Sequence, residues 1–196
     1  MEPEEPHEPT APPLQNDNKA KAIKKRGQEA KRQALYRMSG VAMTPIDAIG
    51  VETVEVVLSE YGSDLSRFPT EQQFVSHVTL APRVPKSGGQ PLKKKKRNSA
   101  STRVAAALRM VAVSLRHSQT ALGAYYRRMA QRRGGDIAVF STARKLATLI
   151  YRLLRWGQPY VDEGAAAYEN RYRQHRIGRL AATAKELSYQ LTPVSA

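Results

Sequence analysis

Hydrophobic positions along the chain recur every three or four residues and almost never every second one. After a polar start, "TPIDAIGVETVEVVLSEYG" places Ile46, Ile49 and Val51 around Gly50 and continues with Val54, Val57 and Leu58 at helical spacing. Thr44 and Pro45 suit a helix start, because proline is tolerated in a first turn. A short helix, a glycine turn and a second helix are therefore expected over about 40–62, a helix-hairpin-helix-like arrangement. Thr70 ahead of Glu71-Gln72-Gln73 predicts a capped helix start, with Phe74, Val75 and Val78 on its apolar side. Pro82 and Pro85 end regular structure.

From Ser99 onward the helical pattern is nearly continuous. Val104, Ala107, Leu108, Val111 and Leu115 form one stripe, with Arg103, Arg109 and Arg116 off it. "ALGAYYRRMAQRR" predicts a second helix stopped by Gly134-Gly135. "AVFSTARKLATLIYRLLRW" predicts a third, with Phe140, Ala143, Leu146, Ala147, Ile150 and Leu153 inward. Residues 160–175 and 176–189 suggest two more. No stretch alternates long enough to argue a sheet, so the fold class is all-α, a helix-hairpin-helix-like part followed by a helical bundle.

Charge changes this picture. The 196 residues carry 32 Lys and Arg against 17 Asp and Glu, a net +15. Residues 1–18 hold Glu2, Glu4, Glu5, Glu8 and Asp17, no Lys or Arg, and five of the 12 prolines. Such composition buries too little apolar surface to offset ordering entropy, so a disordered tail is expected over 1–18 and a folded domain over 19–192. The strongly cationic remainder points to nucleic acid as partner. No apolar run is long enough to span a membrane. With no cysteine, disulfides and thiolate metal sites are excluded. A cytoplasmic protein, associated with the nucleoid when bound to DNA, is expected.

Candidate chemistry concentrates in "VPKSGGQPLKKKKRNSASTR". A serine hydroxyl is a weak nucleophile until a base, a metal or local positive charge activates it. Attack on a phosphodiester builds negative charge that cations and free backbone N–H groups stabilise. Ser87 is the candidate nucleophile. Gly88 and Gly89 allow close backbone approach to a strand, and Lys86, Lys93, Lys94, Lys95, Lys96, Arg97 and Arg103 are candidate phosphate contacts. Gly50 joins them, because a glycine turn lets N–H groups at a helix start approach a phosphate. The same loop also suits a plain surface connection, and "KKKKR" a generic nucleic-acid or nuclear-import patch. The histidines His7, His77, His117 and His175 lack metal-ligand spacing. Asp162, Glu163 and Glu169, near Arg171, Arg173 and Arg176, fit ion pairing on a solvated face.

The run from "LYRMSGVAMTPIDAIGVE" through "DLSRFP", "LAPR", "SGG" and "ALGAYYRRM" to "YENRYRQH" resembles the C-terminal domain of transposases of the insertion sequence 110 family, related to the pilin-gene invertase. The similarity covers roughly residues 19–192. The resemblance implies a protein that cuts and rejoins DNA in transposition, with Ser87 forming a covalent phosphoserine intermediate. In that family an acidic nuclease-like half binds Mg²⁺, and some members are guided by a structured RNA. No segment here corresponds to the acidic half, so the chain is expected to need no cofactor of its own and to be inactive alone. The family's G-I-G turn reads "AIG" at 48–50, and its "SGGK" reads "SGGQ". DNA is the expected partner, with guide RNA and further copies of the chain left open. A non-enzymatic helix-hairpin-helix DNA-binding protein is the alternative.

Overall fold

A computed structural model describes residues 9–80, 86–87, 90–91 and 102–192. The elements run α1 (Asp17–Lys25), α2 (Glu29–Ser39), α3 (Val51–Tyr61), α4 (Glu71–His77), β1 (Lys86–Ser87), β2 (Gln90–Pro91), α5 (Thr102–Ser114), a 3-10 turn (Leu115–His117), α6 (Ala121–Arg133), α7 (Gly135–Trp156) and α8 (Gly164–Glu186). Among the described residues the fold is all-α apart from one hairpin of two-residue strands.

Helix α7 is the axis of the bundle. Ala143, Leu146, Ala147, Ile150 and Leu153 are buried, as their spacing predicts, and α4, α5 and α6 enclose them. Phe140, expected inward, is 41% exposed at the end of that stripe, with the Arg109 guanidinium 5.4 Å from its ring centre. On α5, Val104, Leu108, Val111 and Leu115 are buried with Ala105 and Ala112, while Ala107 is only half-buried. Tyr151 closes the α7 stripe: its buried hydroxyl donates to the Phe68 carbonyl at 2.6 Å. Around that point Tyr61, Phe68 and Phe74 meet edge to face at 5.3–6.2 Å, an arrangement aromatic quadrupoles favour. His77 lies against the same rings, which gives one of the four histidines a packing role.

Local signals explain most helix ends. The Thr70 side chain accepts the Gln73 N–H at 3.3 Å and starts α4. Thr120 does the same for Gly123 at the start of α6, and Gly134, at φ 89°, ends that helix. Gly27, at φ 63°, separates α1 from α2. Three expectations need correction. Within 160–189 there is one 23-residue helix, α8, not two; it has no buried residue and packs mainly on α6. Nothing at 176 breaks it, because the polar residues there are good helix formers. Residues 44–48 are turns rather than the first helix of a hairpin, with Ile46 N–H bonded to the Met43 carbonyl and Ile49 N–H to that of Ile46. Pro45 sits inside these turns rather than opening a helix.

The third correction concerns the tail. Residues 1–8 lie outside the described residues, but residues 11–16 pack on the body, and the boundary at 18 falls inside α1. Ala11 is buried, its N–H donating to Gln33 Oε1 at 2.8 Å. The Arg32 guanidinium, 5% exposed, donates to the Pro12 carbonyl, to Glu29 and to Thr44 Oγ1. Lys19 Nζ reaches the carbonyls of Thr44 and Ile46, the latter at 2.8 Å. Two cations thus hold the start of the chain against the turns before α3. Acidic composition concealed this, because the contacts are to backbone carbonyls.

A second latch ties these turns to the other end of the bundle. Asp47 Oδ2 accepts from Ser118 Oγ at 2.5 Å and Thr120 Oγ1 at 3.2 Å. Arg127 Nη1 donates to the Ser118 carbonyl at 2.6 Å. Gly123 lies under this corner, and a Cβ there would stand 2.2 Å from the Ser118 carbonyl oxygen.

Two outcomes follow for stability. Gly123→Ala should destabilise the protein by at least about 3 kcal/mol in urea denaturation, because a methyl against backbone overwhelms the helix-propensity gain of about 1 kcal/mol; a neutral result would refute the close packing at Ser118. Lys19 supplies a pH test. Burial lowers its amine from 10.5 to about 8, with Asp47 acting partly in the opposite direction. Between about pH 8 and 10.5 the unfolded chain then binds more protons than the folded one, so this group adds stability as pH rises. Stability of the wild type relative to Lys19→Met should climb across that window, and a flat difference would show that the amine keeps its ordinary affinity for protons.

Candidate nucleic-acid interface

The candidate nucleophile lies on the connection between two anchored helices. Val78 and Leu80 are buried at the end of α4, with Thr79 between them at φ 60°. Their N–H groups bond back to Phe74 and Val75 carbonyls and fix where the chain leaves the core. The antiparallel pairing of β1 with β2 sets Lys86 opposite Pro91 and Ser87 opposite Gln90. Beyond Pro91 the chain re-enters the core at Val104 of α5, which is fully buried. Ser87 and Lys86 therefore lie on a short hairpin, in the connection between α4 and α5. Gly88, Gly89, Lys93, Lys94, Lys95, Lys96 and Arg97 lie outside the described residues. Arg103, at the start of α5, is exposed, with Nε 3.8 Å from Glu60 Oε1.

Gly50 is not in the left-handed region. It caps α3 in extended conformation, at φ −85° and ψ 172°. The residue that bears the strain of this turn is Ala48, at φ 61°, where an L-residue is disfavoured. This is the first position of the "AIG" triplet, so the alanine stands where the backbone calls for glycine. The start of α3 already carries an anion. Glu52 Oε2 lies 3.1 Å from where a Cβ on Gly50 would sit. Its carboxyl is held below the usual range, first by a hydrogen bond from Gln28, then by its own backbone N–H, with Arg26 and Lys31 adding attraction. A phosphate reaching the N–H groups at this helix start would have to displace that carboxylate.

Elsewhere the cations divide into engaged and free. Arg152 pairs with Glu71 through two hydrogen bonds, at 2.7 and 3.1 Å, and so clamps α7 to α4. Arg171 pairs with Glu163, as expected for that face. Glu169, however, pairs with Arg128 of α6, and Asp162 accepts from the Ala121 N–H and the Tyr160 hydroxyl instead of an arginine. A cluster not expected from the sequence surrounds Arg128. Its guanidinium lies 3.4 Å from the Tyr172 ring centre and 4.6 Å from that of Tyr168, while Lys145 sits 4.6 Å from that of Tyr125. The Tyr168, Tyr172 and Arg176 spacing on α8 carries the signal, but nothing in one sequence pairs that face with α6.

Among the described residues no three His, Asp or Glu side chains converge as a metal site. No helix among them is long and apolar enough to cross a membrane.

The described residues form an all-helical domain with one short hairpin that carries Ser87. Residues 42–127 match the family described as Transposase IS116/IS110/IS902 family, which supports a transposase domain of that kind over this stretch. The match spans α3 to α6 and includes Ser87. The family implies DNA as partner. Comparison with characterised proteins and with solved structures found no match.

The strained turn gives a direct check. Ala48→Gly should raise stability by about 1 kcal/mol by releasing the left-handed strain, whereas Gly50→Ser, at an extended cap position, should change it by less than about 1 kcal/mol. Paired chemical denaturation of both variants measures this, and the reverse ranking would place the conformational demand at Gly50.

Proposed function

We propose that this chain is the serine-bearing, DNA-contacting part of a transposase, with Ser87 as the nucleophile in strand cleavage and rejoining. The observation that carries this reading is the placement of Ser87 on a hairpin between two core-anchored helices, inside the segment matching the transposase family. In the proposed reaction the Ser87 oxygen forms a bond to phosphorus while a P–O bond to a neighbouring sugar breaks. The serine proton passes to a base, and the departing sugar oxygen takes up a proton. The phosphoserine conserves the bond, and attack by another strand's sugar hydroxyl reverses the step and frees the serine. Lys86, Lys93–Lys96, Arg97 and Arg103 neutralise the phosphates on either side, and the glycines at 88 and 89 admit close approach of the strand.

Activation of Ser87 is assigned to a nuclease-like partner domain of the kind the resemblance implies, together with Mg²⁺. Guide RNA and assembly into multiple copies belong to the same proposed complex.

Supplied with such a domain, Mg²⁺ and labelled DNA, the chain should form an adduct stable to denaturing electrophoresis that Ser87→Ala abolishes. An adduct surviving Ser87→Ala would move the nucleophile elsewhere. Salt-dependent DNA binding with no adduct in any assembly would favour the non-enzymatic alternative. In the chain alone, neutralising Lys93–Lys96 should flatten the slope of log affinity against log salt by about 0.9 for each duplex phosphate no longer neutralised; an unchanged slope would remove this run from the interface.

A further inference from the structure

A second cationic site lies between α6 and α8. A groove of about 820 Å³ runs there, lined by side chains of both helices. Its arginines are Arg128 and Arg132 from α6 and Arg173 and Arg176 from α8, and its one acid is Glu169, already bound to Arg128. Arg132, Arg173 and Arg176 are exposed and have no ion-pair partner among the described residues. Beneath them Arg128 is 8% exposed, with Nη1 sealed from water and without a hydrogen-bond partner among the described residues. A guanidinium held this way, with one carboxylate and two tyrosine faces around it, leaves the groove with surplus positive charge.

The groove also offers apolar surface. Tyr172 is half-buried along it, and Ile177 and Leu180 remain 41% and 52% exposed. Phosphates alone need only the arginines. Arginines interleaved with a tyrosine and aliphatic side chains match a strand whose bases are unpaired, since base planes stack on aromatic and guanidinium surfaces while cations track the backbone. A duplex turns its base faces inward and would leave this surface unused. An acidic peptide would meet the arginines but gains nothing from a stacking face.

We infer that the α6–α8 groove binds a single-stranded segment of nucleic acid, with Arg132, Arg173 and Arg176 on phosphates and Tyr172 beside the bases. The inference rests on the reading of this chain as a nucleic-acid-handling protein, but not on the chemistry of Ser87. It also accounts for a 23-residue helix that buries none of its own residues: α8 forms a wall of a site rather than part of the core.

The test measures binding of labelled oligothymidylate, oligouridylate and a mixed-sequence duplex to the full chain over a range of salt. Arg173→Gln/Arg176→Gln changes only exposed side chains, and an unchanged thermal melt confirms folding. For at least one single strand, affinity should fall about tenfold and the salt slope by about 1.4, which is two phosphates at roughly 0.7 each. Response of only one homopolymer identifies the strand as DNA or RNA, and either supports the site. Arg173→Lys/Arg176→Lys should keep the slope. Tyr172→Leu should weaken single-strand binding at constant slope. The same loss is expected with Lys93–Lys96 already neutralised, so failure of the hairpin reading leaves this result intact. Unchanged affinity and slope for both single strands in the double variant overturns the inference, as does a loss confined to the duplex.

Discussion

The fold around the segment of Ser87 depends on the burial of α7. The helices that precede and follow that segment in sequence, α4 and α5, both pack on the stripe from Ala143 to Leu153, and α5 also meets α3. Each fully buried Leu or Ile on that stripe contributes about 1.5–3 kcal/mol, and the hydrogen bond from Tyr151 to the Phe68 carbonyl registers α7 against the turn before α4. The Arg152–Glu71 pair adds a lateral clamp at the first residue of α4. The core therefore fixes the ends of α4 and α5 between which the segment of Ser87 runs.

The net charge of +15 overstates what is free for nucleic acid. Lys19 and Arg32 are committed to backbone carbonyls of the first turns, Arg127 to the carbonyl of Ser118, and Arg152 to Glu71. These are structural bonds, and their charges are screened or compensated where they are made. Exposed cations remain on the rim of the α6–α8 groove, at Arg132, Arg173 and Arg176, and along α1, at Lys21, Lys24 and Lys25. The sequence adds the run Lys93–Arg97.

How much of this was legible follows from what each signal depends on. Helix starts and stops set by local chemistry, such as Thr70, Thr120 and Gly134, were readable because their partners lie within four residues. The α7 stripe was readable because one helix face carries it. Phe140 misled because periodicity gives a direction, not the length of the neighbouring helix, and the stripe runs past its cover there. Residues 44–48 misled for a related reason: Ile46 and Ile49 are buried at a spacing helices share with successive turns. Of the candidate site, the serine hairpin could be picked out from composition and resemblance. The α6–α8 groove could not, because Arg132 and Arg173 come together only after two helices pack.

The matched transposase segment ends at residue 127, inside α6, yet the physical domain does not. Val104, Leu108 and Leu122 from the matched stretch are buried in the same cluster as Leu146, Ala147 and Ile150 of α7, which lies wholly beyond it. The corner at Ser118 likewise needs Asp47 from one end of the match and Arg127 from the other. At the N-terminal side, the turns at 44–48 are held by Lys19 and Arg32, which also precede the match. The part of the chain that carries the candidate chemistry is thus stabilised on both sides by residues whose only visible work is packing and hydrogen bonding.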